Sequence, residues 1–270
     1  MKKRTRDILT VILLLVAAFA LFRFAQDKLE AKRSQSDYEM ALQIADAHFG
    51  EETVPAETSD DPQPTEDAMP DDPVIKELLA MDLQALREVN EDVLGWIHIP
   101  ASAISYPLLQ WTDNDFYLTH TWTQSENASG SIFMDYQNSP DFTDFNTIIY
   151  GHNMRNGDMF SELTSYRYLH HWQAHPYVYI LCDEGVLRYD VFAVQSVNTN
   201  TIIYGLGIDS DQRKKEFLRF ATDYSLVDTG ITPGTDDSIL TLSTCVDAAH
   251  VNRWVVLGRL NEEQSYRHPF

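Results

Sequence analysis

The sequence predicts a mainly β protein in which eight short strands close into a barrel. From residue 95 onward, short segments rich in β-branched and apolar residues alternate with turn-rich loops. Eight such segments suit a closed barrel, because closure removes free sheet edges. Shorter helical patterns at 113–118, 158–163 and 168–174 interrupt them, and a sizeable one at 211–224 separates the sixth segment from the seventh. The predicted strands are residues 96–99, 104–109, 131–134, 146–150, 177–181, 187–197, 238–242 and 254–260.

The N-terminus has the pattern of a membrane-targeting segment. Four basic residues precede Asp7, and residues 8–22 are apolar apart from Thr10. This order predicts a cytoplasmic N-terminus. Fifteen residues are short for a span of about twenty, but Arg23 can snorkel and add length. A cleaved signal peptide and a buried core helix are the alternatives. We favour an uncleaved anchor, because the small-residue site at 18–20 lies inside the apolar run.

Composition divides the chain into four parts. Residues 1–25 form the basic flank and anchor, and residues 26–49 have the pattern of a helical stalk. Residues 50–73 contain five prolines and nine acidic residues without Lys or Arg, which predicts a disordered linker. Its reach of roughly 25–30 Å suits a spacer between membrane and domain. Residues 74–270 form the folded domain, which opens with a helix capped by Asp72 with Pro73 in its first turn.

Charge and cysteine content narrow the functional class. The formal net charge is −21, so the phosphates of a nucleic acid would be repelled. The two cysteines, Cys182 and Cys245, are too few for a disulfide framework. A bond between them would stabilise an exported protein but would consume both thiols. If Cys245 is catalytic, Cys182 is a packed thiol.

Three residues at predicted strand ends form a candidate catalytic group. Cys245 ends one strand and Arg253 opens the next, and two antiparallel neighbours would bring the thiol and the guanidinium together. The cation would favour thiolate and hold an oxyanion. His152 follows residues 146–150, with Gly151 permitting an unusual backbone conformation at the turn. Taken singly, such a cysteine is more often a small buried side chain and such an arginine a surface charge.

Other polar residues offer alternatives. His250 is a rival base close to Cys245, but its loop gives it no fixed orientation, so His152 is preferred. Asp247 would orient a histidine or would be an ordinary loop charge, and the sequence leaves both open.

Three histidines, at positions 170, 171 and 175, lie close together in the sequence. The four-residue spacing of His171 and His175 suits a metal on a helix. No Glu stands at the zincin position and Pro176 ends the helix, so a surface or packing cluster is favoured and no metal is expected.

These motifs resemble those of class B sortases. The resemblance rests on Thr241-Leu242-Ser243-Thr244-Cys245 with the downstream Arg253, and on Tyr150-Gly151-His152-Asn153-Met154. Residues 93–100, 130–136 and 146–154 match as well, so the similarity spans roughly 74–260. It implies a sortase-type barrel. The helix predicted between the sixth and seventh strands is a feature of class B that class A lacks.

The resemblance implies a membrane-anchored, extracytoplasmic cysteine transpeptidase. Cys245 would attack the carbonyl of a threonine in the C-terminal sorting signal of a secreted protein and form a thioester. His152 would act as acid and base, and Arg253 would hold the carbonyl or oxyanion. An amine of peptidoglycan or its lipid-linked precursor would accept the protein. This chemistry needs no cofactor. The resemblance also implies substrate contacts from a group lining the groove: Asn114, Leu118, Tyr204 with the residues from Thr199 that precede it, Ser243 and Thr244.

Two other functions remain open on the sequence. A cysteine protease would hydrolyse the same thioester with water, and an inactive wall-binding module would use the groove without chemistry. The eight-residue interval from Cys245 to Arg253 is short for a sortase. It predicts a tight loop without a substrate-closing role.

Overall fold

A computed structural model describes residues 3–46, 71–245 and 252–268. Within these ranges nine strands form one sheet, so the prediction of a mainly β protein is confirmed. The linker expected at 50–73 lies almost wholly outside the described residues. The strands are β1 (Val93–His98), β2 (Ser105–Leu109), β3 (Ile132–Met134), β4 (Asn146–Tyr150), β5 (Tyr177–Cys182), β6 (Gly185–Asn198), β7 (Ile239–Cys245), β8 (Asn252–Leu260) and β9 (Tyr266–Arg267).

The sheet closes on itself through β6. Neighbouring strands follow the order β5-β1-β2-β3-β4-β7-β8-β6, and β6 also pairs with β5. The first part of the long strand β6 pairs with β5 and the rest pairs with β8, so one strand joins both edges. The result is the predicted eight-stranded barrel. The two-residue strand β9, which the sequence did not indicate, adds to β6 outside the closed ring.

Two of the strand pairs are parallel, β2 with β3 and β4 with β7. The other pairs are antiparallel. In the pair of β4 and β7, Tyr150 lies opposite Ser243. Carboxyl ends of parallel strands meet at the same edge of a sheet, and this pairing therefore brings residues 150–152 to the rim where β7 ends.

Apolar side chains fill two adjoining layers. Alternating residues of the strands, such as Ile97, Leu108 and Val256, pack inside the barrel. Residues of the opposite face of β6, β7 and β8 pack under helix α5 (Asp211–Asp223), whose Phe217 is fully buried. The second layer covers the outer face of β6, β7 and β8, so apolar side chains of these strands pack on both of their faces.

The N-terminal part of the domain has two short helices where the helical period of its apolar residues, from Val74 to Leu86, predicts one. Helix α2 (Pro73–Leu79) begins as expected, with the Asp72 side chain accepting from Val74 N at 2.9 Å. Helix α3 (Leu83–Val89) then begins anew, because the Asp82 side chain accepts from Ala85 N. A second N-cap within the periodic stretch divides it.

The helices between strands follow the predicted places. The pattern at 113–118 forms only a 3-10 turn, Phe116–Leu118, and the one at 158–163 forms a later 3-10 helix, Ser161–Arg167. Helix α4 (Leu169–Ala174) and helix α5 match their predictions within one residue at each end. A further 3-10 turn, Ile202–Tyr204, precedes α5.

Helix α1 (Lys3–Asp46) runs without a break through the segments expected as anchor and stalk. Its apolar half is exposed, and it is long and apolar enough to cross a membrane. Its second half packs on the barrel: Tyr38 and Ala45 are buried, whereas Leu29 and Leu42 are exposed. The Tyr38 hydroxyl donates to the Gly130 carbonyl at 2.8 Å. The segment predicted to be a stalk is thus helical and docked.

The docking of α1 uses polar contacts that hydrophobic periodicity does not reveal. Trp122 Nε1 donates to the Asp37 carbonyl at 2.7 Å, and Asn127 Nδ2 donates to the Glu30 carbonyl at 3.0 Å. The hydroxyls of Ser34 and Ser129 lie 2.6 Å apart and both side chains are buried. These bonds join residues 30–38 to the loop between β2 and β3.

Candidate active site

The ends of β4, β7 and β8 meet at one rim of the barrel. The backbone of Cys245, the last residue of β7, lies opposite Arg253 near the start of β8. Beyond β4, the Gly151 amide donates to the Ser243 carbonyl at 3.1 Å and continues the pairing past the strand. His152 follows directly. Strand pairing therefore brings the backbone of these three positions to one rim, as expected from the strand ends.

A cavity of about 340 Å³ opens at this rim. Seven of the eight predicted site residues line it, as do Phe133, Tyr150, Gly151 and Thr199. The eighth is Cys245, whose side chain lies outside the part of the chain that the structure describes. Phe133 and Tyr150 were not among the predicted site residues, although both stand in the sequence segments that carry the family resemblance. The seven predicted residues at the cavity are Asn114, Leu118, His152, Tyr204, Ser243, Thr244 and Arg253.

His152 is oriented by a backbone carbonyl. Its Nε2 lies 2.8 Å from the Leu118 oxygen, and since a carbonyl only accepts, Nε2 carries the hydrogen in this contact. This hydrogen bond determines which ring nitrogen carries the hydrogen and restrains the position of the imidazole. Gly130 lies beneath, with a positive φ of 57°. A Cβ there would stand 3.0 Å from His152 Cδ2 and 2.8 Å from the Leu118 oxygen.

Glycine is needed at position 151 because a side chain would not fit there, and not because the backbone adopts a positive φ. This corrects the sequence prediction of an unusual backbone conformation. Gly151 is not among the residues with positive φ. A Cβ at this position would lie 2.4 Å from Ile132 Cδ1 and 2.7 Å from Phe160 Cδ2. The turn into His152 therefore passes closer to the packed interior than any side chain permits.

A buried carboxylate organises one wall of the cavity. Asp135 is 3% exposed and accepts hydrogen bonds from Asn114 Nδ2 and from the Tyr150 hydroxyl, each at 2.9 Å. Asn114 Oδ1 also accepts from the Tyr136 amide at 3.0 Å. Burial, and then the charge of Asp135, raise the pKa of Tyr150, while the charge of Arg253 acts in the opposite direction. Tyr150 therefore remains a protonated donor to Asp135.

The opposite wall of the cavity, which carries Tyr204, is held to β7 and β4 by hydrogen bonds from side chains of these two strands. The hydroxyls of Tyr204 and Ser243 lie 2.7 Å apart. Asn146 Nδ2 donates to the carbonyls of Ile203 and Gly205 at 3.0 and 3.1 Å, and Asn146 Oδ1 accepts from Thr241. Asn146 thereby fixes the 3-10 turn that presents Tyr204 to the cavity.

Thr244 lines the cavity, but its hydroxyl is buried. Its side chain is 2% exposed, and its Oγ1 makes no hydrogen bond to any part of the chain that the structure describes. A buried hydroxyl without a partner is unfavourable by about 1–3 kcal/mol.

The two arginines of β8 occupy different surroundings. Arg253 lines the cavity and is partly buried. Arg259 lies six residues further along and pairs with Asp190 at 3.6 Å. On a strand this separation is about 20 Å, so Arg259 is remote from the rim.

The two cysteines also occupy different surroundings. Cys182 is a free thiol, 3% exposed, at the end of β5. Burial, followed by its contact with Glu184, raises the pKa of Cys182 to about 12, so it is not a reactive thiolate at neutral pH. Cys245 stands at the rim by its backbone position. The alternatives weighed for the following loop, Asp247 and His250, lie outside the described residues.

Comparisons with known proteins agree with this geometry. The sortase domain family matches residues 97–261. Sortase B of Listeria monocytogenes is 35% identical over 184 residues, which cover 66% of this chain and 74% of that protein. The sortase B–substrate complex of Staphylococcus aureus superposes with a TM-score of 0.63 at 29% identity, covering 66% of this chain and 83% of that one. Clostridium perfringens sortase B gives 0.63 at 29% identity, covering 67% and 100%.

The match covers more than half of the chain and includes every strand from β2 to β8. It also spans the α5 insertion between β6 and β7 that the sequence associated with class B. The chain therefore belongs to the sortase family of cysteine transpeptidases, and within that family it is a class B sortase.

Proposed function

We propose that this sortase cleaves a C-terminal sorting signal after a threonine and transfers the protein to an amine of peptidoglycan or its lipid-linked precursor. The observation that carries the proposal is the cavity at the rim. It brings His152, Arg253 and five predicted substrate contacts to the place where β7 ends in Cys245. Such a cavity accepts a short extended peptide end-on, with the scissile bond at the rim.

Cys245 is the proposed nucleophile. Its sulfur attacks the threonine carbonyl carbon and forms a tetrahedral oxyanion, which Arg253 stabilises. Collapse breaks the peptide bond, and the departing amine takes a proton from His152. A thioester remains on Cys245.

The acceptor amine then attacks the thioester. His152 takes the proton of the incoming amine, the carbon–sulfur bond breaks, and the thiolate of Cys245 is regenerated. The new amide joins the secreted protein to the wall. Each step needs the imidazole close to the rim, and the hydrogen bond from His152 to the Leu118 carbonyl supports that position.

Substrate side chains would contact both walls of the cavity. Leu118, which is 38% exposed, offers an apolar surface, and Thr244 lines the same cavity. The S. aureus relative has been solved as a sortase B–substrate complex, which supports substrate binding by this chain as well.

The proposed organisation keeps the predicted four parts, with an anchor in 1–25, a helix in 26–49, a linker in 50–73 and the catalytic domain in 74–270. The exposed apolar half of α1 supports single-pass anchoring with the domain outside the cell. The mature protein should keep its N-terminal residues and remain in the membrane after washing with high salt. N-terminal sequencing that begins near Leu21 would instead identify a cleaved signal peptide.

The full chain in detergent tests the reaction. Quenched peptides with threonine at the cleavage position are supplied with and without an amine acceptor. We expect an amide product that depends on the acceptor, and its loss in Cys245→Ala. Cys182→Ala is the matched control and should remain active, because that thiol is buried. Hydrolysis that ignores the amine would identify a protease, and peptide binding without cleavage would identify a wall-binding module.

A further inference from the structure

A second group of chemically active side chains lies outside the active-site cavity. Glu162 belongs to the 3-10 helix Ser161–Arg167, His171 to α4, and His175 directly follows α4. One ligand atom from each, two imidazole nitrogens and a carboxylate oxygen, lie within 4.8 Å of one another. The spacing of the two histidines is visible in the sequence. The sequence could not show that the preceding helix folds back and brings Glu162 to the pair.

Two of the three side chains are held by backbone groups of the loop between β1 and β2. His175 is 8% exposed, and its Nδ1 lies 2.9 Å from the Pro100 carbonyl. That contact places the hydrogen on Nδ1 and leaves a lone pair on Nε2. Glu162 Oε2 accepts from the Ala103 amide at 2.9 Å. Histidine and carboxylate ligands of metals are commonly oriented by such outer contacts.

The third side chain, that of His171, has a buried ring nitrogen. His171 Nε2 is buried and makes no hydrogen bond within the described part of the chain. The nearest carboxylate oxygen, Glu162 Oε1, is 4.0 Å away, too far for a hydrogen bond. A buried ring nitrogen that no group of the described chain engages is available to bind a metal ion.

The histidines also have the right relative position. The His175 amide donates to the His171 carbonyl at 3.0 Å, so one helical turn separates them. Their ring centroids are 4.4 Å apart. Residues four apart on a helix share a face, and both rings therefore point toward Glu162.

We propose that Glu162, His171 and His175 bind a zinc ion. Two imidazoles and one carboxylate, with water in a fourth position, form a ligand set that Zn²⁺ uses, whereas Mg²⁺ and Ca²⁺ prefer oxygen ligands alone. With bonds of about 2.0–2.1 Å, tetrahedral ligand atoms lie about 3.4 Å apart. Small rotations of the three side chains close the difference from 4.8 Å.

The ion would join three segments of the domain. Its ligands come from the 3-10 helix and α4, and their outer contacts reach Pro100 and Ala103 in the loop after β1. The three ligands are absent from the lining of the catalytic cavity. The site therefore stabilises the fold, and the transpeptidation reaction should not depend on it.

The test uses the full chain, freed of metal by a chelator that is then removed. Zinc chloride is titrated by calorimetry, stoichiometry is counted by mass spectrometry, and thermal unfolding is followed with and without zinc. We expect one zinc ion per chain, a higher melting temperature with zinc, and no effect of magnesium chloride. His171→Ala should weaken zinc binding by at least about 100-fold, since losing an outer contact alone costs 10–100-fold.

His170→Ala is the matched control, because His170 is the exposed neighbour of His171 and stacks on Tyr168 instead. It should retain zinc binding. The melting temperature of each variant without metal verifies its fold, and Glu162→Gln gives a second ligand variant at a partly exposed position. The proposal is overturned if the wild type takes up no stoichiometric zinc, or if His171→Ala binds it as tightly as the wild type. Both results are independent of peptide cleavage, so they leave the proposed reaction unaffected.

Discussion

Replacing Gly130 with alanine should displace the carbonyl that orients His152. Gly130 has a φ of 57°, and an added Cβ would lie 2.6 Å from the Tyr117 oxygen and 2.8 Å from the Leu118 oxygen. Both of these atoms belong to the backbone, so no flexible side chain can move aside. The same Cβ would stand 3.0 Å from His152 Cδ2. The substitution therefore pushes on the ring and on its hydrogen-bond acceptor together.

The loss of folding stability in Gly130→Ala is the sum of two costs. Alanine in the left-handed region costs about 1–2 kcal/mol wherever it is placed. The contacts at Gly130 add an overpacking cost of about 1–3 kcal/mol. Gly230 has a φ of 72° and nothing within 4 Å of an added Cβ, so Gly230→Ala carries only the first term. At about 2–4 °C per kcal/mol, Gly230→Ala should lower the melting temperature by about 2–8 °C, and Gly130→Ala by about 4–20 °C.

Activity should separate the two variants more clearly than stability. A displacement of catalytic groups by about 1 Å can reduce the rate by about 10²-fold, and Gly130→Ala should approach this loss in kcat/KM. Gly230→Ala should keep wild-type kcat/KM. The assay is transpeptidation of a quenched peptide at a temperature where both variants are folded. Wild-type kinetics in folded Gly130→Ala would refute the role of the Leu118 carbonyl in positioning His152.

Four further substitutions test the site and its surroundings. Arg253→Lys should lose about 10²–10³-fold in kcat, because one ammonium cannot reproduce the donor geometry of a guanidinium. Arg259→Lys should be nearly silent in steady-state kinetics, and an inactive but folded Arg259→Lys would show that the wrong arginine was chosen. Tyr204→Phe removes the contact with Ser243 and should raise KM several-fold, in line with about 0.5–1.5 kcal/mol for a hydrogen bond; unchanged KM would remove Tyr204 from the substrate contacts. Asn146→Ala leaves buried carbonyls unpaired and should lower the free energy of unfolding by about 1–3 kcal/mol, measured by urea denaturation.

The strands and the rim could be predicted because both depend on local patterns. Strand β4 has the predicted bounds, 146–150, since Thr, Ile and Tyr in succession favour a strand and turn residues flank them. The positions of His152 and Arg253 then follow from which strands are neighbours. The pairing of β7 with β8 was predicted from the residues, because only a short loop separates the two strands. The pairing of β4 with β7 joins segments far apart in the sequence, and no local pattern indicates it.

Features that depend on contacts between distant segments were not predictable. The positive φ of Gly130 matters because the Leu118 carbonyl and the His152 ring approach it from two other loops. The docking of α1 likewise rests on hydrogen bonds to its carbonyls, at Glu30 and Asp37, which have no sequence signature. Asp135 is an ordinary acidic residue in the sequence, and only the fold buries it between Asn114 and Tyr150.

In the proposed topology, the docked helix α1 sets a fixed distance between the bilayer and the site of cleavage. Eight residues separate Phe22, at the end of the apolar run, from Glu30, the first hydrogen-bonded contact with the barrel. At 1.5 Å per residue this is a rise of about 12 Å. Because α1 contacts the barrel before residues 50–73 begin, that linker does not determine the distance. A substrate held by an apolar tail in the same bilayer must therefore present its threonine at a matching height, and the number of residues between tail and scissile bond becomes a criterion by which substrates are selected.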